Sequence, residues 1–173
     1  MTVQISVDDP ALALWQRCDL QDLAKFWHRF DERPVPVGAI ARDLGLRIVS
    51  KTLPTNISGS IRPAEDSYVI EVNNTDAPVR QRFTVSHEIG HYLLHRHLIG
   101  IDGITDTILY RSSLSNSQEA EANRLAAAIL LPWQQVNAWH MATFNGVPAI
   151  ENVERIADAF RASRLAVGYR FGF

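Results

Sequence analysis

Apolar residues recur along this chain at two spacings, and the changes of spacing mark its elements. Leu20, Leu23, Phe26, Trp27 and Phe30 fall at helical intervals, which predicts a helix over residues 19–30 with Asp19 as its N-cap. Pro34 and Pro36 punctuate that pattern, and residues 37–44 read as a second short helix stopped by Gly45. Leu46-Arg47-Ile48-Val49 alternates as a strand, and two further strands are predicted at 57–61 and 68–72. After the turn Asn73-Asn74-Thr75-Asp76, Pro78 suits the first turn of a helix running to His95. That helix carries Phe83, Gly90, Leu93 and Leu94 on its inner side. Residues 98–116, with Gly100, Gly103 and scattered Ser and Thr, read as a long loop. A strong helix over 117–131 follows, with a buried Ala126–Leu131 run that Pro132 ends or kinks. Helices at 133–144, 150–160 and 163–169 complete the chain.

The 173 residues suffice for one compact domain and are too few for two ordinary ones. The expected division is a variable lead-in at 1–18, a core at 19–132 and a helical C-terminal part at 133–173. Apolar residues at 46% and charged ones at 21% are ordinary for a globular protein, and a net charge of −2 offers no broad basic surface for nucleic acid. Cys18 stands alone, which excludes an intrachain disulfide and a cysteine-rich zinc site. No apolar run approaches the ~20 residues that span a bilayer. Residues 1–10 hold Asp8 and Asp9 and lack a basic stretch before an apolar block, so no secretory signal is expected and a cytoplasmic location is.

The chemistry concentrates at His87-Glu88-Ile89-Gly90-His91. On a helix, residues four apart stack one above the other, so both imidazoles can reach one metal ion. Glu88 then stands beside the metal as a base for its water, and the motif is a zinc metallopeptidase signature. A catalytic zinc takes three protein ligands, so a third is required. His95 continues the ladder but lies ~12 Å along and ~80° around the axis from His87, beyond sharing one ion; a half-exposed place near the helix C-terminus is expected for it. His97 has the six-residue spacing after His91 used by metzincins, with Met141 posing as their Met-turn, but Leu94 occupies the position of their turning Gly. Glu119 and Glu121 remain, about 200° apart on the second strong helix. Glu119 is favoured because Asn123, four residues on, shares its face and can hydrogen-bond a ligand histidine's second nitrogen; Glu121 would face Arg124 or solvent.

The stretch Arg82-Phe83-Thr84-Val85-Ser86-His87-Glu88-Ile89-Gly90-His91-Tyr92-Leu93-Leu94-His95 resembles the zinc helix of the ImmA/IrrE metallopeptidases, and Glu119–Pro132 resembles their second block. Weaker echoes lie at Ile57-Ser58-Gly59, at Val69–Asn73, and at Ser163–Val167 with Arg170, so the resemblance spans about residues 36–171. Leu131 before Pro132 replaces a common Met, and the 98–116 stretch departs where the family varies. The resemblance implies Zn2+ held by His87, His91 and Glu119, with Glu88 as acid and base. It also implies a protein substrate, a helix-turn-helix repressor encoded nearby, whose cleavage relieves repression.

The expected fold is therefore α+β and gluzincin-like: a small three-stranded sheet, a zinc-site helix, a second ligand-bearing helix, and helical termini. Substrate is expected to add as a strand along 68–73. Tyr92, Tyr110 and His140 are unranked candidates for an oxyanion helper. Two other readings stay open: a regulatory module that binds and displaces the repressor without cutting it, and a DNA-binding protein using the short helices at 37–46 or 153–170, the latter carrying Arg155, Arg161, Arg164 and Arg170. Trp15, Trp27, Trp133 and Trp139 read as packing anchors, and His28 and Cys18 have no partner at a recognisable spacing.

Overall fold

The computed structural model describes residues 2–107, 115–146 and 148–173. A short helix α1 (Leu12–Trp15) leads into α2 (Leu20–Phe26), where the Asp19 carboxylate accepts from the Gln21 N–H as N-cap. The rest of the predicted first helix tightens into a 3-10 turn over Trp27–Asp31. α3 (Val37–Asp43) ends at Gly45, whose φ of +77° lets the Gly45 N–H bond Arg42 and the Leu46 N–H bond Ala41. Those two bonds satisfy carbonyls the helix would otherwise strand.

Four strands follow, β1 (Arg47–Lys51), β2 (Ile57–Ala64), β3 (Ser67–Asn73) and β4 (Ile104–Thr107), in the order β1-β3-β2-β4. β1 runs parallel to β3, while β2 is antiparallel to both β3 and β4. The sheet thus has one strand more than predicted, and the extra strand falls within the stretch read as loop. Four residues are too few to display an alternating period. What makes Ile104–Thr107 a strand is its pairing with β2, including Ile61 opposite Ile104. Gly103 makes the turn into it at φ +75°; a Cβ there would lie 2.4 Å from the Ile61 carbonyl oxygen. The remaining part of that predicted loop, 108–114, lies outside the described residues.

A second correction concerns the expected docking edge. Residues 68–73 lie in β3, which is paired on both sides and has no edge to offer; the outer strands are β1 and β4.

α4 (Pro78–His95) packs across the sheet with Pro78 in its first turn. α5 (Asn116–Leu130) begins at a capping box in which Ser115 and Gln118 each accept the other's backbone N–H. α6 (Trp133–Phe144), α7 (Val153–Phe160) and α8 (Arg164–Phe171) complete the fold. Trp15, Leu23, Phe26, Ile40, Ile61, Ile70, Ile89, Leu125, Ile129 and Phe160 are fully buried in one core. Rings of Trp27, Trp133 and Trp139 pack edge-on or tilted against Trp15, Phe171 and Phe160 respectively. Among the described residues, no helix is long and apolar enough to cross a membrane.

α7 and α8 join through a tight turn, with Arg161 left-handed and Ser163 capping α8 by accepting from Ala166. Of the arginines that suggested nucleic acid, Arg170 is buried on Asp9. Arg155, Arg161 and Arg164 are exposed, Arg164 in a surface pair with Glu154 at 2.8 Å and Arg155 over the Phe144 ring. α8 exposes Leu165 and Tyr169 beside Arg164.

The lead-in is part of the core. Ala11, Leu14, Trp15 and Cys18 are buried, and burial pushes the Cys18 thiol up to about 12. Asp9 accepts from Arg170 at 2.6 Å, while Arg170 Nε donates to the Leu131 carbonyl at 2.8 Å. The lead-in, the end of α5 and α8 are thereby tied at one buried point. Asp9→Ala leaves that guanidinium without its carboxylate and should cost about 3–5 kcal/mol, the usual consequence of breaking a buried pair from one side. Urea unfolding measures it; a loss under about 1 kcal/mol would show that the lead-in is dispensable.

Candidate metal centre

Two helices supply the site, and a glycine lets them meet. A Cβ placed on Gly90 of α4 would sit 3.1 Å from the Ala122 carbonyl oxygen and 3.4 Å from its Cα on α5. A methyl group there would be tightly packed against that backbone, so the helices approach closely at this level. His87 lies one turn before the crossing and His91 one residue after it, while Glu119 lies one turn before Ala122. The crossing therefore fixes how far the carboxylate stands from the two imidazoles.

His87 Nε2 and His91 Nε2 are 2.9 Å apart. Glu119 Oε2 is 3.4 Å from the first and Oε1 is 3.7 Å from the second. Among the described residues, one donor atom from each of the three falls within 4.8 Å of the others, a group able to hold a metal ion. A tetrahedral zinc with ligand bonds of ~2.0–2.1 Å sets its donors about 3.3 Å apart, and the observed spacings bracket that value. Burial, the largest influence on His91, drives its pKa down to about 4 against the opposing pull of the Glu119 carboxylate. The imidazole is thus neutral at pH 7, the form that ligates. Both histidines are buried, and Glu119 is half-buried. The donor set, its spacing and its protonation all fit a divalent cation of the zinc type.

Glu88 follows His87 on α4 and is buried beneath the sheet side of the cluster. β2 passes it at Gly59, where a Cβ would fall 2.4 Å from Thr84 Cγ2, 2.7 Å from the Glu71 carbonyl oxygen and 3.7 Å from Glu88 Oε1. The bare backbone at Gly59 is what leaves room for Thr84 and Glu88 against the strand. On the other flank, Phe83 stacks on His87 at 6.3 Å and on Tyr169 of α8 at 6.2 Å. Neither Gly59 nor Tyr169 was weighed for the site in the sequence, because strand and helix reach it from residues 30 and 80 positions away.

His95 corrects an expectation. It is 2% exposed, and its Nδ1 meets His91 Nδ1 at 3.1 Å. Its other nitrogen meets Glu121 Oε2 at 3.0 Å. The same arithmetic that keeps His95 off a shared ion places it behind His91, one turn away. Glu121 is corrected with it: it faces neither Arg124 nor solvent, but binds His95 and takes both guanidinium nitrogens of Arg17 at 2.6 and 3.0 Å. The Arg17 hydrogen bonds are the chief reason its carboxyl falls to about 2. Asn123 stays half-buried on α5, and the outer nitrogen of His91 meets His95. His97 and Met141 are exposed and outside the cluster.

Of the oxyanion candidates, Tyr92 is enclosed between Tyr68 and the Arg96 guanidinium, 3.9 Å above its ring. His140 is bonded to Gly146 and Asn152 at the end of α6, so both serve packing. Tyr110 lies outside the described residues.

A mixed sheet crossed by a helix that shares a His–His–Glu cluster with a second helix defines a metallopeptidase-like domain. The chain belongs to the peptidase M78 family, whose IrrE N-terminal-like domain it matches over residues 41–171. A solved structure of a Mycobacterium tuberculosis transcriptional regulator shares the fold, with a TM-score of 0.56 at 18% identity over 86% of this chain. The chain spans 45% of that protein's length. No curated protein matches it.

The helix crossing makes a sharp prediction. Gly90→Val forces side-chain carbons into the Ala122 backbone and should cost about 1–3 kcal/mol as overpacking. It should also separate Glu119 from the histidines, so zinc stoichiometry should fall well below one in protein that still melts cooperatively. Full zinc binding by that variant would show that the crossing does not set the cluster.

Proposed function

We propose that this domain is a zinc-dependent endopeptidase of the HExxH, gluzincin-like type. His87, His91 and Glu119 are the ligands in this reading, and Glu88 is the catalytic acid and base. The single observation that carries it is the convergence of those three donors from two helices, with buried Glu88 following His87 on α4. Zinc, when bound, supplies a Lewis acid that acidifies water and polarises a peptide carbonyl. Glu88, buried next to the cluster, takes the proton of the attacking water at a carboxylate oxygen and returns it to the departing amine. Gly59 keeps the strand backbone clear of Glu88.

The substrate strand adds to β4 in this reading, in place of the interior strand β3. Among the described residues β4 pairs with β2 alone, and the register sets Gly59, the residue facing Glu88, opposite Asp106. Extending the sheet there brings an extended peptide past the cluster through backbone hydrogen bonds. Replacing 104–107 by Gly and Ser should raise KM with zinc content unchanged; an unaltered KM would remove β4 from substrate binding.

The proposed substrate is a helix-turn-helix repressor encoded nearby, cut to relieve repression in the cytoplasm. Membership of the M78 family supports a protein substrate, and the regulator with the same fold agrees with a place in transcriptional control. Incubating the zinc-loaded protein with the neighbouring repressor should yield discrete fragments. Intact repressor released from its operator would instead indicate a displacement module. Glu88→Gln keeps size and hydrogen bonding but removes the base. It should retain stoichiometric zinc while cleavage falls about 10²–10⁴-fold. Glu119→Ala should lose stoichiometric zinc; retention would reassign the third ligand.

A further inference from the structure

Behind the cluster, a row of side chains leads from His91 to the protein surface: His91 to His95, His95 to Glu121, Glu121 to Arg17. Its protons can be placed from one end. Arg17 only donates, so both Glu121 oxygens accept from it. Ionised Glu121 has no proton to give, so the 3.0 Å contact requires His95 to carry its proton on Nε2. In a neutral His95 that leaves the lone pair on Nδ1, which then accepts from His91 Nδ1–H across the 3.1 Å contact. A neutral His91 protonated at Nδ1 has its lone pair on Nε2, the atom that faces His87 and Glu119. One tautomer is thus selected at His95 and one at His91, and the one at His91 is the ligating one.

We propose that His95, Glu121 and Arg17 are positioning residues that hold His91 in its metal-ligating tautomer and ring orientation, so that the segment preceding the matched family region sets the metal affinity. Arg17 lies outside residues 41–171, which the family domain covers. It is half-exposed, at 48%, and its pairing with Glu121 anchors α5 to the lead-in. The chain of bonds gives the lead-in a reason to be packed where it is. The inference rests on the metal-centre reading above.

The test is zinc affinity, by competition with a chromophoric chelator, together with the visible spectrum of the Co2+-substituted protein. His95→Leu fills the space but neither accepts from His91 nor donates to Glu121. It should weaken zinc binding 10–100-fold and alter the cobalt bands, the usual scale for losing support behind a ligand. His95→Gln offers an amide oxygen to His91 and an amide N–H to Glu121, and should recover most of that loss. Arg17→Met keeps an exposed stem and removes the anchor, giving a smaller loss of several-fold; it also decides the matter should the Leu variant not fold. A folded His95→Leu or Arg17→Met protein with wild-type affinity and spectrum would overturn the relay, as would a Gln variant no better than Leu. Wild-type protein that binds no zinc would overturn the metal centre itself and the relay with it. Zinc binding without peptide cleavage would count against the peptidase reading alone, because affinity is read without turnover.

Discussion

The close approach of α4 and α5 at Gly90 and Ala122 is the constraint on which the site depends. Helices packed through larger side chains stand 8–10 Å apart, and the histidine and glutamate side chains would then have farther to reach. With no side chain at Gly90 between the helices, Glu119 comes within 3.4–3.7 Å of both imidazoles. A helix-interior glycine costs up to about 1 kcal/mol in propensity, yet here a methyl group would sit tightly against the facing backbone. The site and the core share this contact: Ala122, Leu125, Ala126 and Ile129 of α5 are all buried against the same neighbours.

Burying so many polar groups in one place is costly, since an unpaired amide or imidazole in an apolar interior loses several kcal/mol of hydration. The fold answers by connecting them. His87, His91 and Glu119 face one another, and His95, Glu121 and Arg17 carry the connection outward until a guanidinium reaches water. Burial keeps His91 neutral, while Arg17 keeps Glu121 ionised, so neighbouring groups are held in different charge states by different causes. A cluster arranged in this way is polarised before any cation arrives, which is what preorganisation of a metal site requires.

The sheet has a supporting part. Gly59 lets β2 run against Thr84 and Glu88, and Gly103 turns the chain so that β4 can lie alongside β2. Two glycines with opposite roles, one permitting a close contact and one a left-handed turn, bring an outer strand beside the cluster. On the far flank, Phe83 links His87 to Tyr169, so the C-terminal helices border the site through aromatic stacking. The fold thereby surrounds one short stretch of α4 with groups drawn from both ends of the chain.

Local rules carried much of this into the sequence. The Asp19 cap, the Gly45 stop, Pro78 at the start of α4 and the periods of α4 and α5 act within a few residues, and they read correctly because such signals are short-range. The four-residue spacing of His87 and His91, with Glu88 between them, needed only helix geometry, and Glu119 could be preferred from helix faces. Tertiary structure alone decided that residues 104–107 form a strand, that β3 lies inside the sheet, and that His95 is buried. It alone turned Glu121 toward an arginine 104 positions earlier. Those outcomes depend on pairings between distant segments, whose energies come from desolvation and mutual fit on contact, and such terms leave no period along the chain to read.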